Sequence, residues 1–386
     1  MPQTAGMADA RFQQVADLFT DNFASLNELG ASLCVTIEGE TVLDLWGGHV
    51  DAAQNQPWEE DTVCVTFSNT KAATAICVHL LIERGMLELD TPLTRYWPEF
   101  GGEGRENITV RMCLNHTAGL PAIQPDVKDG GFADWDYMTG QLAQQTPFWE
   151  PGTQTGYHMF TFGWLLGELV RRVSGRSLGA FFAEEIAQPL GLDFHIGLSD
   201  DQHVRVSPIA FHKMKPGEEM SSFMKAILLD TQSMQARALL NLGNLNYNDP
   251  RAMRAEIGAA GGIGNARALA GMFTPLATGT TLLSAERINA ARQESSVGAP
   301  DVNLMIGTRF GQGFMLRIDN RPAPVEAAVS FLIPDGAFGH VGAGGSYGFA
   351  DPDRGIAMSY VMNRMGGGFL VNARGQRLID AVYDVL

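Results

Sequence analysis

Strand-type apolar runs occur at the two ends of this 386-residue chain and give way to helical periodicity between them. Near the start, SLCVTIEG (32–39) and TVLDLWGG (41–48) alternate around a polar turn and predict a hairpin. A third apolar run, TVCVTF (62–67), leads into Ser68. From about residue 90 to 260 the pattern is helices and long loops, clearest in GWLLGELVRRVSG (163–175) and LGAFFAEEIAQPLG (178–191). Strands return after 265 with FGQGFMLRI, AAVSFLI, GSYGFADP and GIAMSYVMNR, after two helical stretches, ARALAGMFTPLA and SAERINAAR. Helical spacing of Phe12, Val15, Phe19, Phe23 and Leu26 opens the chain, and Leu378, Ile379, Val382, Tyr383 and Leu386 close it in the same manner. The pattern predicts an α/β fold of the α+β type. One antiparallel sheet is built from both termini (1–90 and 265–386) and flanked by helices. A helical second lobe spans 91–264, with a site in the cleft between the lobes.

Composition narrows the function classes. Hydrophobic residues make up 45% and charged residues 18%, as in an ordinary globular protein. The formal charge of −16 supplies no electrostatic footprint for nucleic acid and little attraction to anionic membranes. No apolar run reaches the ~18 residues of a membrane-spanning helix. The N-terminal residues lack a basic segment followed by an apolar core, and a cytoplasmic location is expected. Cys34, Cys64, Cys77 and Cys113 each sit in apolar stretches with no zinc-site spacing, and read as buried hydrophobes. No metal or cofactor is expected.

Ser68-Asn69-Thr70-Lys71 stands where a strand-like run meets a helical one, KAATAICVHLLIERG. Residues three apart on a helix share a face, so hydroxyl and amine can meet. The serine N–H at the helix start can face a developing oxyanion. Of the five lysines (71, 128, 213, 215 and 225), only Lys71 opens a strongly apolar helix. An ammonium there is costly unless paired or deprotonated, and a deprotonated amine beside a serine is a proton acceptor. A second Ser-x-x-Lys, Ser222 to Lys225, follows no strand and is a chance match. A rival motif, Gly344-Gly345-Ser346-Tyr347-Gly348, fits the nucleophile elbow. That elbow needs a histidine after the serine, and the last histidine is His340. These glycines instead suit a strand running close to a ligand or a facing helix.

Ser68-x-x-Lys71, then Tyr157-His158-Met159, then His340-Val341-Gly342 resembles the serine β-lactamase and penicillin-binding protein superfamily. Within it the chain looks like the class C branch and the family VIII carboxylesterases. LNHTAGLP (114–121), WEPGTQTGYHMFTFGWLLGELV (149–170) and FGHVGAGGSYGFADPDRGIAMSYVMNRM (338–365) support the likeness. The resemblance implies a β-lactamase-like fold. It also implies Ser68 as the acylated nucleophile, Lys71 and Tyr157 as its proton-handling partners, and an oxyanion hole from the N–H groups of Ser68 and Ala343. His340, Gly342 and Met159 would then lie at the substrate. Two departures matter. Met159 replaces the asparagine of Tyr-x-Asn, and His340-Val341 replaces the Lys-Thr that holds a substrate carboxylate. A histidine with an ordinary pKa near 6.5 is only partly charged at neutral pH. Both changes favour a neutral small-molecule ester. The expectation is therefore a serine carboxylesterase working through an acyl-enzyme. A β-lactamase or D-alanyl-peptidase-like hydrolase, an acyltransferase and a catalytically silent scaffold are the rivals. His116 and Thr117 read as turn residues. Trp135, Phe148, Met159, Phe160, Met220, Phe223 and Met224 are candidates for an acyl pocket or for ordinary core.

Overall fold

A computed structural model describes residues 4–214, 217–322 and 330–386. Two of the stretches read from the sequence fall partly outside them, Lys215 and the Ala327–Val329 part of AAVSFLI.

The strands in chain order are β1 (Thr4–Ala8), β2 (Gly30–Ile37), β3 (Glu40–Gly48), β4 (Cys64–Val65), β5 (Phe194–Ile196), β6 (Gly262–Gly264), β7 (Ser296–Gly298), β8 (Thr308–Phe310), β9 (Met315–Leu316), β10 (Phe338–Val341), β11 (Tyr347–Asp351) and β12 (Ile356–Met362). Nine of them form one sheet in the order β1-β3-β2-β12-β11-β10-β9-β8-β7, with antiparallel neighbours throughout. The first and last parts of the chain meet where β2 pairs with β12, from Ile37 opposite Ile356 to Ala31 opposite Met362.

These central strands are buried on both faces, and their side chains alternate between two apolar layers. Ala31, Leu33 and Val35 of β2 and Met358, Tyr360 and Met362 of β12 face one layer. That layer holds Phe12 and, from helices Gln13–Ser25 and Ala373–Asp384, Val15 and Phe19 with Leu378, Ile379 and Val382. Cys34, Ala357 and Val361 face the other layer, beside Leu269 and Phe273 of helix Ala266–Thr278. Gly348 permits that helix to press onto the sheet, since a Cβ there would lie 2.6 Å from Phe273 and 2.8 Å from Leu269.

Four local features differ from the sequence reading. The edge strand β1 has little apolar character and gives no strand signal; its partner β3 supplies the pairing. The TVCVTF run joins a separate three-stranded sheet, β4-β6-β5, in which Cys64 lies opposite Gly264. FGQGFMLRI is not one strand; β8 and β9 form a hairpin in it, turned at Gly313 with φ 88°. Ser330 and Phe331 make only isolated bridges, to Val371 and Ile318.

Under the β2–β12 seam lies a buried charge pair. Arg374 donates to Glu28 at 2.7 Å and to the Arg364 carbonyl at 2.7 Å, and the Tyr360 hydroxyl also donates to Glu28. Burial pushes the Glu28 carboxyl up and the Arg374 guanidinium pulls it back down. Removing one partner strands the other charge, so Arg374→Ala should cost about 3–5 kcal/mol. Urea unfolding at neutral pH checks this. Replacing the pair together, as Glu28→Leu with Arg374→Met, should recover part of the loss.

Candidate active site

Phe67 takes a positive φ of 49°, unusual for an aromatic residue, and this sharp bend carries the chain from β4 to Ser68. Helix Thr70–Glu83 follows at once, so Ser68 and Lys71 share the first turn. Twelve of the fourteen residues of that helix are buried, and Lys71 is fully buried among them. Its Nζ lies 3.1 Å from Ser68 Oγ, 2.7 Å from the Met159 carbonyl and 3.0 Å from the Ala259 carbonyl. Among the described residues no carboxylate forms an ion pair with it. Burial therefore holds its pKa well below the ordinary lysine value. A neutral amine has two N–H groups and one lone pair. The two carbonyls take the N–H groups, which leaves the lone pair for the Ser68 hydroxyl.

Tyr157 covers the same amine. Its ring centroid lies 4.6 Å from Lys71 Nζ, close enough to stabilise a positive charge formed there. Burial raises the Tyr157 pKa, partly offset by hydrogen bonding with Ser68, so the phenol keeps its proton. Asp301 fixes the tyrosine through the backbone. Both of its oxygens accept from Tyr157 N–H at 3.0 Å, and it also takes Asn303 N–H, Leu304 N–H and Thr308 Oγ1. Asn303 Nδ2 returns a bond of 2.7 Å to the Tyr157 carbonyl. Burial lifts Asp301 to about 6, against the pull of these donors.

Three buried imidazoles surround the group. His158 donates from Nδ1 to the Gly156 carbonyl and accepts from Leu120 N–H at Nε2, which settles its neutral tautomer. His116 Nδ1 accepts from His158 N–H, and its ring packs 4.8 Å from that of Tyr157. His116 thus props Tyr157 as well as shaping the turn expected of it. His340 donates from Nδ1 to the Val341 carbonyl. Burial, with Lys71 nearby, drives it down to about 3. The sequence reading gave this side chain an ordinary, partly charged imidazole; the structure buries it and makes it neutral.

The structure brings Ser68, Lys71 and Tyr157 together, with His340 beside Tyr157 at 6.1 Å between ring centroids. Ser68 and Ala343 are half-buried, and among the described residues neither N–H is taken by another acceptor. Gly342 packs against the nucleophile turn, since a Cβ there would meet the Thr66 carbonyl at 2.3 Å. Met159 reaches the site through its carbonyl, while its side chain packs in the apolar layer with Tyr157 and Phe223. Phe160 and Met224 border that layer and stay half-buried. Lys225, of the second Ser-x-x-Lys, is exposed, and Ser346 is buried with its hydroxyl engaged by Asn69. Asp301, Asn303 and Ala259 were not singled out by sequence. Two act through the backbone and the third is a carbonyl, so none of them carries a signal in the sequence.

A serine hydroxyl 3.1 Å from a buried amine is an arrangement that can support acyl transfer. Residues 15–382 match the family model Beta-lactamase, and the chain belongs to that family, with its β-lactamase-like fold. It is 33% identical over 369 residues to the Esterase/beta-lactamase LipL of Mycobacterium tuberculosis (strain ATCC 25618 / H37Rv), covering 93% of this chain and 83% of that one. A family VIII carboxylesterase crystal structure superposes with a TM-score of 0.87 at 36% identity, over 100% of both chains. A penicillin-binding protein homologue from Caulobacter crescentus gives a TM-score of 0.87 at 35% identity, again over 100% of both chains.

The neutral imidazoles have a consequence for stability. His158 and His340 are lowered to about 3, and His79, stacked on Phe314, to about 4. Unfolded histidine takes up its proton near pH 6.5, so the unfolded chain binds more protons below that value. The stabilisation is complete above pH 6.5 and is lost as pH falls toward the folded values. Asp301 acts in the opposite sense between its unfolded value of 3.8 and about 6, and offsets only part of this. The Tm should fall by about 5 °C or more from pH 7 to 5. Differential scanning calorimetry should show a shallower fall in His340→Gln. A Tm that holds level over this range contradicts the neutral imidazoles.

Proposed function

We propose that the protein is a serine carboxylesterase that hydrolyses small to medium neutral carboxylic esters through an acyl-enzyme on Ser68. The observation that carries this reading is the cradle of Lys71. Two main-chain carbonyls accept from its Nζ at 2.7 and 3.0 Å, and Ser68 Oγ lies 3.1 Å from the same nitrogen.

In the first half-reaction the Ser68 proton passes to Lys71 Nζ as Oγ attacks the ester carbonyl. The ammonium so formed donates to both carbonyls and lies against the Tyr157 ring. The N–H groups of Ser68 and Ala343 receive the oxyanion. The departing alkoxide takes a proton from the Tyr157 phenol, which Lys71 restores. Water then retraces the path, losing its proton to the same pair as it attacks the acyl-enzyme. Phe160 and Met224 suit the acyl portion, and Gly342 and the neutral His340 flank the oxyanion strand.

A neutral histidine at 340 supplies no fixed cation for a substrate carboxylate, which favours esters over β-lactam acids. Its relatives include both esterases and β-lactamases, so a chromogenic cephalosporin is the informative counter-substrate. An alcohol replacing water would make the same acyl-enzyme a transferase. No helix among the described residues is long and apolar enough to cross a membrane. The four cysteines are buried free thiols, which suits a reducing, cytoplasmic setting. The strongly acidic surface gives no reason to invoke a nucleic acid partner.

With p-nitrophenyl butyrate, Ser68→Ala, Lys71→Ala and Tyr157→Phe should each lower kcat by about a hundredfold or more. Full activity in Ser68→Ala overturns the assignment of the nucleophile. Cephalosporin turnover matching the ester rate overturns the substrate class.

A further inference from the structure

We propose that Ser346 is a positioning residue, and that the Asn69–Ser346 hydrogen bond latches the two halves of the oxyanion hole at their working separation. The inference rests on the assignment of Ser68 and Ala343 N–H as that hole.

The two N–H groups come from different sheets. Ser68 follows β4 of the three-stranded sheet, and Ala343 follows β10 of the nine-stranded one. An oxyanion hole needs both donors about 2.7–3.1 Å from the same oxygen. Two independently packed segments do not hold that spacing unless something ties them directly.

Asn69 and Ser346 provide the tie. Asn69 is next to Ser68, and its Nδ2 donates to Ser346 Oγ at 3.0 Å and to the Thr66 carbonyl at 2.9 Å. Ser346 Oγ in turn donates toward the Thr66 carbonyl at 3.4 Å. The Ser346 carbonyl accepts from Gly342 N–H at 2.7 Å, closing the turn that presents Ala343. Asn69 is 0% exposed and Ser346 is 1% exposed, so water does not compete for these bonds. Gly342 fits into the same contact. A Cβ there would lie 2.3 Å from Ser346 Oγ, 2.3 Å from the Thr66 carbonyl and 2.9 Å from Asn69 Nδ2. On its other side the turn is held by Asn372, whose Nδ2 donates to the Gly344 carbonyl at 2.7 Å. The serine of the elbow-like Gly-x-Ser-x-Gly motif therefore has work that requires no nucleophilicity. It accepts from the residue beside Ser68 and lies in the β10–β11 turn that carries Ala343.

The test uses Ser346→Ala, Asn69→Ala and their double variant, with Ser68→Ala as reference. Each is assayed for kcat and KM on p-nitrophenyl butyrate, for Tm, and for inhibition by phenylboronic acid. The boronate forms a tetrahedral adduct on a serine oxygen and places one oxygen in the oxyanion hole. For Ser346→Ala the expected result is a kcat lower by about ten- to a hundredfold, as a misplacement of about 1 Å gives. KM should stay within about twofold, and boronate affinity should fall in parallel with kcat. The double variant should lose little more than the worse single variant, because both cut one latch. A wild-type kcat in Ser346→Ala, with Ser68→Ala inactive, overturns the latch alone. So does a kcat loss accompanied by a lowered Tm and unchanged boronate affinity. Full activity in Ser68→Ala overturns the assignment of the hole, and the latch with it.

Discussion

An amine buried without a carboxylate partner is the constraint around which this molecule is organised. Lys71 is enclosed by the apolar helix it opens, by the Tyr157 ring and by two carbonyls. Holding a full charge there would cost several kcal/mol, so the protein keeps the amine neutral. The neighbours conform to that choice. Burial holds His116, His158 and His340 well below the ordinary imidazole value, so all three are neutral as well. The phenol of Tyr157 keeps its proton for the same reason of burial. Charge thus arises in the site only as the reaction generates it, with acceptors already in place.

The scaffold explains how groups from distant segments reach one hydroxyl. The strands of the large sheet bring β10 and its exit turn beside Ser68, while the small sheet delivers β4 and the positive-φ bend at Phe67. Tyr157 arrives on an irregular segment with no strand or helix to hold it. Asp301 replaces that missing support by collecting three backbone N–H groups and a hydroxyl. A carboxylate serves better than an amide here because every partner is a donor.

Much of this was legible in the sequence where the signal is local. Ser68 and Lys71 could be paired because three residues span one helical turn, and the scarcity of lysine made Lys71 conspicuous. The sheet assembled from both ends followed from strand-like apolar runs at β2, β3, β11 and β12. Tyr157 carries no local signal of its own and became visible only through the order of three motifs. Asp301 was invisible because its function is to accept main-chain bonds that exist only in the folded chain. His340 lies beside Tyr157, but its burial, which lowers its pKa, is not written in its sequence neighbours. The hairpin β8–β9 was read as one strand although Gly311 and Gly313 stood in the middle of it, a turn signal outweighed by the apolar run. The edge strand β1 depends on its partner β3 and has no apolar face to announce it.

The neutrality of Lys71 can be read directly. With five lysines in the chain, enzyme labelled with carbon-13 at lysine Cε gives few enough NMR signals to follow each through a pH titration. One signal, missing in Lys71→Arg, should already report a deprotonated amine at pH 8. If all five titrate together near 10.5, the amine is charged in the resting enzyme and cannot take the Ser68 proton.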